Sequence, residues 1–360
     1  MERHEVVIVG AGPAGLTAAE LLAKAKKDVL VLDRKKAEDL GYKLCAGAMS
    51  PKIYPKVPHE VVDQEVHRVN IYSRSFKRKI LENKKPFVHM ISRIALSKWQ
   101  LDKAINAGAV LNDREEIKKL DLKNRIVTTK EGKEYGYEKL IGADGSHSLI
   151  RKNLGLRIKE TFICFQWTLK NNEHTEEASF WFDMTRFGYS GMYLFPHGDL
   201  IKVGGGGPCV REPLKDYIDA TKKFFENKGL ELSAGEYGIE AINLSYTRHR
   251  FQDVTLLGDA AGFPEPILGE GIAYAMFSAE LEFANGCGAK GKRRDNLERY
   301  LFSNRKMVNL VMNHPYKLLQ NFDSTRKIGD MIIEKTCSGS NILDLVYRLI
   351  LDHFWMKGRY

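Results

Sequence analysis

Three glycines, Gly10, Gly12 and Gly15, follow a short apolar run ending at Val9 and precede a stripe of Leu16, Ala19, Leu22 and Ala23 at helical spacing. A G-x-G-x-x-G pattern between a strand and a helix is suited to holding a pyrophosphate. Gly10 permits a tight turn, Gly12 lets backbone approach the phosphates, and Gly15 allows the helix to pack closely. The helix N-terminus, opened by Pro13, offers free N–H groups and a partial positive charge. Asp33 stands 23 residues beyond Gly10, directly after the apolar run Val29–Leu32, where a carboxylate accepts from ribose hydroxyls. The chemistry indicated is dinucleotide binding, and these residues alone do not separate a flavin from a nicotinamide.

Two later segments narrow the choice. Gly142-Ala143-Asp144-Gly145-Ser146-His147-Ser148-Leu149-Ile150-Arg151 follows an apolar strand, and so does Leu257-Gly258-Asp259-Ala260-Ala261-Gly262, with Gly269-Glu270-Gly271-Ile272 opening the next helix. With these three ordered motifs, residues 1–290 resemble the large flavoprotein family typified by p-hydroxybenzoate hydroxylase, and within it the geranylgeranyl reductase branch. The resemblance implies FAD as cofactor, with Gly10, Gly12, Ala14, Gly15, Asp33, Arg34, Cys45, Ala46, Arg93, Ile117, Asp144, Asp259, Gly271 and Ile272 at its site. Asp259 is then placed to accept from ribityl hydroxyls, and Gly271 and Ile272 to donate backbone N–H groups where charge develops on flavin reduction. Arg93 corresponds to an arginine near the cofactor, Ile117 to a position against the adenine, and Asp144 to an element buttressing both FAD and the sheet.

Lys43-Leu44-Cys45-Ala46-Gly47-Ala48 is similar to the branch's loop beside the flavin ring, with Ala46 replacing the more usual glycine. A cysteine there tunes hydride transfer or donates a proton, and Cys45 is the candidate catalytic residue. Gly191-Met192-Tyr193-Leu194-Phe195-Pro196, followed after seven residues by Gly204-Gly205-Gly206, resembles the branch's substrate element. That likeness assigns substrate contacts to Tyr193, Phe195, Pro196, Gly204 and Gly206, although Tyr193 stands where tryptophan is usual and Gly191 where tyrosine is.

The elements that must position these residues follow from periodicity. The opening reads as a βαβ unit. Alternating segments at Val66–Tyr72 and Lys77–Leu81 read as antiparallel strands, Ile94–Ala107 as a helix, and Ile117–Leu120, Arg125–Thr129 and Lys139–Ile141 as strands. Beyond Gly155, alternating Phe162, Phe165, Trp167, Phe180, Phe182, Tyr193 and Phe195 predict a second sheet, interrupted by a helix over Leu214–Asn227. Val254–Leu257 reads as a buried parallel strand and Gly269–Ala284 as a helix. The expected fold is α/β with an α+β second domain: a Rossmann-like FAD-binding domain interrupted by an antiparallel sheet and followed by a helical tail. The expected boundaries are 1–60, 93–158 and 250–288 for the cofactor domain, 61–92 and 159–249 for the substrate domain, and 289–360 for the tail.

The chain has 360 residues, with 43% hydrophobic and 28% charged residues and a net charge of +10. That composition fits a folded domain rather than disorder. Its basic residues are dispersed, and the cluster Lys290, Lys292, Arg293, Arg294 matches no nucleic-acid module, so no nucleic acid is expected. Five widely spaced cysteines include no C-x-x-C pair, and no metal-ligand spacing occurs, which argues for a reducing cytoplasmic setting and no metal. No apolar run reaches spanning length. Ile342, Leu343, Val346, Leu349, Ile350 and Phe354 form a basic amphipathic stretch that fits either packing on the body or peripheral membrane contact.

Expected partners are an apolar or prenyl-lipid substrate and an electron donor that is NAD(P)H, ferredoxin or deazaflavin. The leading expectation is a flavin-dependent reductase of C=C bonds in a prenyl chain or related lipid. The alternatives are an FAD-dependent monooxygenase of an apolar or aromatic substrate, and an electron-carrying flavoprotein docked to a partner or membrane.

Overall fold

A computed structural model describes residues 1–51, 57–72, 78–182, 191–207, 213–265 and 269–284. The expected tail, its amphipathic stretch, the basic cluster at 290–294 and Cys209, Cys287 and Cys337 lie outside the described residues.

Burial orders the first sheet. The strand Glu2–Val9 is exposed at its start and buried from Val6 onward. It runs parallel to the fully buried Val29–Leu32 on one side and to Glu134–Gly142 on the other. Near-continuous apolar runs of this kind belong to a parallel sheet covered on both faces. Among the described residues the sheet has eight strands. Its main path is Arg250–Phe251, Val254–Leu256, Glu134–Gly142, Glu2–Val9, Val29–Leu32, Val110–Asn112. Ile126–Thr129 and Ile117–Asp121 extend it antiparallel from Glu134–Gly142.

On one face lies the helix Pro13–Lys24, whose Pro13 occupies the first turn. Ala14, Leu16, Ala18, Ala19, Leu22 and Ala23 of this helix share a core with Ile8, Val31, Ala275, Ala279 and Phe283. Small residues bring it close to the helix Ile272–Phe283. The helix Arg93–Asn106 starts at Ser92, whose Oγ accepts the Ala95 N–H at 3.2 Å.

Among the described residues the second sheet has seven strands, in the order Glu236–Asn243, Thr161–Lys170, Leu200–Gly207, Gly191–His197, Ala178–Phe182, Arg68–Tyr72, Arg78–Glu82. The helix Leu214–Glu226 packs on it through Tyr217 and Phe225, against Phe165, Trp167 and Trp181. Two features depart from the expected plan. Ala178–Phe182 and Arg68–Tyr72 pair parallel within an otherwise antiparallel sheet. The strand read as Val66–Tyr72 divides at His67: Val62–Val66 joins Val88–Ile91 and Ala48–Met49 in a separate three-stranded sheet, and only Arg68–Tyr72 enters the large one. Alternation shows which side chains share a face and says nothing about which neighbour satisfies each stretch of backbone. Among the described residues no helix is long and apolar enough to cross a membrane.

Candidate functional site

The parallel sheet delivers the glycine turn to a cavity of about 650 Å³, a size usual for small-molecule and cofactor sites. Gly10 leaves its strand with φ +104° and donates to Leu32 O at 2.8 Å. A β-carbon at Gly12 would meet nothing within 4 Å, so the backbone there faces open space. One at Gly15 would stand 1.9 Å from Gly10 O. Gly15 therefore seats the helix, and it is absent from the cavity wall, unlike Gly10, Gly12 and Ala14.

Asp33 Oδ2 accepts the Ala11 N–H at 2.7 Å and Oδ1 accepts the Lys35 N–H at 2.8 Å. The carboxylate thus ties the glycine turn to the end of the second strand, with Arg34 and Ile117 on the same cavity wall. Ile117 comes close because Glu115 N–H donates to Asp33 O at 2.8 Å and Arg114 N–H to Lys35 O at 3.1 Å. Burial pushes the Lys35 amine down from its ordinary value, against the opposing pull of Asp33.

Asp144 Oδ2 accepts the Leu149 N–H at 2.7 Å and the Ile150 N–H at 3.3 Å. Burial raises its carboxyl above the ordinary range. Its other oxygen, Oδ1, is buried without a partner, and so is Nε of Arg93. Both residues line the cavity. Asp259 Oδ2 accepts from Ser146 Oγ at 3.0 Å and lies 3.7 Å from Lys43 Nζ. Its backbone carbonyl accepts from Asn243 Nδ2 at 2.8 Å. The fully buried Arg151 gives its guanidinium to the carbonyls of Ala260, Ala261, Arg157 and Ser245. Ser146, Asn243 and Arg151 hold the Asp259 turn. Gly271 caps the helix that starts at Ile272, and a β-carbon on it would lie 3.4 Å from Asp259 Oδ1.

Cys45 packs with the cluster of Ile272 and Met276, whereas its neighbour Ala46 packs with Phe195, Tyr193 and Phe180. The loop therefore bridges the two halves of the cavity. Its Sγ accepts the Gly47 N–H at 3.3 Å. On the far side the wall is Phe162, Cys164, Phe180, Tyr193, Phe195, Gly206 and Ile242. Tyr193 and Phe195 stack with centroids 4.6 Å apart, and Phe180 meets Phe195 edge-on at 5.0 Å. Tyr193 Oη donates to Gln166 Oε1 at 3.2 Å, and burial keeps the phenol protonated, well above its usual range. Burial likewise pushes the Cys164 thiol up to about 12.

Of the residues expected at the substrate end, Tyr193, Phe195 and Gly206 reach the wall, and Pro196 and Gly204 do not. Pro196 is buried in its strand opposite Ile201. Gly204 lies behind Tyr193, where a β-carbon would be 3.0 Å from the Tyr193 hydroxyl and 2.1 Å from Phe165 O. Lys43, Ser146, Asn243, Phe162, Phe180 and Cys164 complete the site without having been singled out by sequence. Lys43 and Ser146 stood inside quoted motifs, Phe162 and Phe180 inside the alternation that predicts the second sheet, and Asn243 and Cys164 carried no local signal.

Comparison with known proteins agrees with this architecture. The model of the pyridine nucleotide-disulphide oxidoreductase family matches residues 4–179. The chloroplastic geranylgeranyl diphosphate reductase of Nicotiana tabacum is 29% identical over 308 residues, 77% of this chain and 64% of that enzyme, so the chain spans just under two thirds of that relative. The digeranylgeranylglycerophospholipid reductase of Methanocaldococcus jannaschii is 26% identical over 300 residues, covering 76% of this chain and 74% of that one. A geranylgeranyl bacteriochlorophyll reductase-like protein from Thermoplasma acidophilum shares the fold with TM-score 0.72 at 19% identity, covering 98% and 97% of the two chains. Klebsiella pneumoniae HpxO, crystallised with FAD and uric acid, shares it with TM-score 0.63 at 17% identity, covering 94% and 97%. The orphaned Asp144 and Arg93 atoms and the open face of Gly12 suit a polar, phosphate-bearing occupant. The chain is therefore similar over most of its length to geranylgeranyl reductases and carries the fold of FAD-dependent oxidoreductases, and FAD is its cofactor.

Proposed function

We propose that the protein reduces C=C bonds in a prenyl chain or a related lipid. The observation that carries this reading is the continuity of one cavity from the Gly10 turn to the Tyr193–Phe195 wall, with Cys45 on its lining. The names of the two reductase relatives support the substrate class. Gly10, Gly12 and Ala14 would hold the pyrophosphate, Asp33, Arg34 and Ile117 the adenosine end, and Asp259 the ribityl hydroxyls. Arg93 and Asp144, which line the cavity and each keep one unpaired buried polar atom, would hold the same cofactor. The backbone N–H groups of Gly271 and Ile272, at the positive end of their helix, would donate to the ring of the bound cofactor.

When bound and reduced, FAD supplies hydride equivalents to one alkene carbon. An isolated alkene has no carbonyl to absorb charge, so alignment does much of the work. Phe180, Tyr193 and Phe195 hold the chain and exclude water, and Cys45 Sγ gives a proton to the second alkene carbon. Tyr193 and Cys164 keep their protons and act as wall.

The test is anaerobic. The bound flavin is reduced, geranylgeranyl diphosphate or digeranylgeranylglycerophospholipid is added, and flavin reoxidation and product mass are followed together. Reoxidation with a gain of one H2 per saturated bond is expected. No reoxidation with either substrate, or rapid NAD(P)H oxidation that consumes oxygen and yields a hydroxylated product, overturns the reading.

A further inference from the structure

The Cys45 loop is held by side chains that do not line the cavity. Lys202 Nζ donates to Cys45 O at 3.0 Å, and His197 Nε2 donates to Ala46 O at 2.7 Å. Two successive carbonyls of the cofactor-side loop are thus gripped from the second sheet. The ring of His197 also packs on the loop: Gly47 has φ +76°, and a β-carbon there would stand 2.6 Å from His197 Cε1. Asp63, on Val62–Val66, meets Nδ1 of the same ring at 3.0 Å and sets its orientation. Three separate sheet elements therefore converge behind one thiol.

The donors sit on the hairpin formed by Gly191–His197 and Leu200–Gly207, which also carries Tyr193 and Phe195. Lys202 pairs directly with Phe195 across that hairpin. Burying a lysine and a histidine is costly, and desolvation holds both below their ordinary values. Holding a loop by backbone carbonyls alone does not require ionisable donors, so their cost points to a demand for placement.

We propose that Lys202 and His197 are positioning residues that set the reach of Cys45 into the cavity and couple it to the seating of the hairpin bearing Tyr193 and Phe195. A chain lying on the aromatic wall moves the hairpin, and the two donors carry that movement to the thiol. The proposal rests on the reading of Cys45 as the thiol beside the flavin ring.

The experiment uses the full chain loaded with FAD, as wild type, Lys202→Met, Lys202→Arg, His197→Gln and Cys45→Ala. Native alkylation of Cys45 by iodoacetamide is followed by peptide mass mapping, beside the flavin absorption band, FAD content and Tm. Lys202→Met is expected to raise the alkylation rate about tenfold, the change expected from losing one charge-assisted hydrogen bond that restrains the loop. It should also shift the flavin band while FAD content stays at the wild-type level, and Lys202→Arg should restore both. Geranylgeraniol should slow alkylation in the wild type and lose that effect in Lys202→Met. If Lys202→Met does not fold, His197→Gln carries the same expectations through the neighbouring carbonyl. Wild-type alkylation rates and flavin bands in the folded variants overturn the proposal. A Cys45→Ala protein whose flavin band is unmoved overturns the placement of Cys45 beside the ring instead, and the alkylation rates then judge the clamp separately.

Discussion

The carbonyl oxygen of Ala143 lies 2.3 Å from the point where a β-carbon on Gly10 would stand, and Gly10 has φ +104°. The first parallel strand and the strand ending at Gly142 thus converge at a position where only glycine fits. Gly10→Ala is expected to cost about 2 kcal/mol or more through backbone strain and the clash. Purified Gly10→Ala protein should be nearly colourless and melt below wild type. A yellow variant with full FAD content would count against the close approach.

Asn243 is fully buried and links the Asp259 turn to the second sheet, donating to Asp259 O at 2.8 Å and accepting the Ser245 N–H at 2.8 Å. Asn243→Ala leaves the Ser245 N–H unsatisfied, at about 1–3 kcal/mol, and leaves Asp259 O with the Gly262 N–H. Chemical denaturation should show that loss, and FAD titration should show weakened binding. Equal stability with unchanged affinity would remove Asn243 from the site's support.

Cys45 is tested by paired substitutions. Cys45→Ala should lower single-turnover reoxidation with a prenyl substrate by about 10²–10⁴-fold, the usual contribution of a positioned proton donor. Cys45→Ser, which keeps a donor, should fall between. FAD content should be retained in both. Wild-type rates in Cys45→Ala would assign the proton to another source.

Cys164 shares the cavity wall, yet its thiol is pushed up to about 12 by burial. At pH 8 only about one molecule in 10⁴ carries the thiolate there. Iodoacetamide should leave Cys164 untouched in the native protein and modify it once denaturant is added. Modification of native Cys164 at a rate near that of a free thiol would contradict its burial.

Glu282 closes the cofactor-side helix on the sheet, accepting from His249 Nε2 at 2.6 Å and from Arg250 Nε at 2.7 Å. Burial works to raise its carboxyl, and the hydrogen bonds and charges of His249 and Arg250 outweigh it, holding the group below its ordinary 4.5. A carboxyl lowered on folding contributes stability in full above its unfolded value. That stability is lost as pH falls from about 4.5 through the lowered folded value. Glu282→Gln should therefore be less stable than wild type near neutrality, and the difference should shrink below pH 4.5 in melting curves across that range. A gap that widens on acidification would reverse the sign.

Much of the cofactor half was legible because its signals are local. Val29–Leu32 announces a buried strand by composition, Pro13 and the glycines announce a turn entering a helix, and Asp33 follows at a fixed spacing that one βαβ unit imposes. The second sheet was legible as a sheet because alternation is a local property too. Its order was not: the parallel pairing of Arg68–Tyr72 with Ala178–Phe182 and the break at His67 depend on which edge is free when distant segments meet.

By itself the sequence determined the dinucleotide turn, the strands and helices that aim it, and the residue types at the flavin end. Only the tertiary structure decided what supports them. Lys202 reaches Cys45, His197 reaches Ala46 and Asn243 reaches Asp259 from other elements of the fold, where folding alone makes neighbours. Pro196, though inside a recognisable element, was turned away because successive side chains of a strand go to opposite faces, and Gly204, on the same face as Tyr193, was covered by the Tyr193 side chain. Spacing along the chain carries the geometry of one turn or one strand. Contacts between chain segments are set by packing and by the need to satisfy every buried polar group.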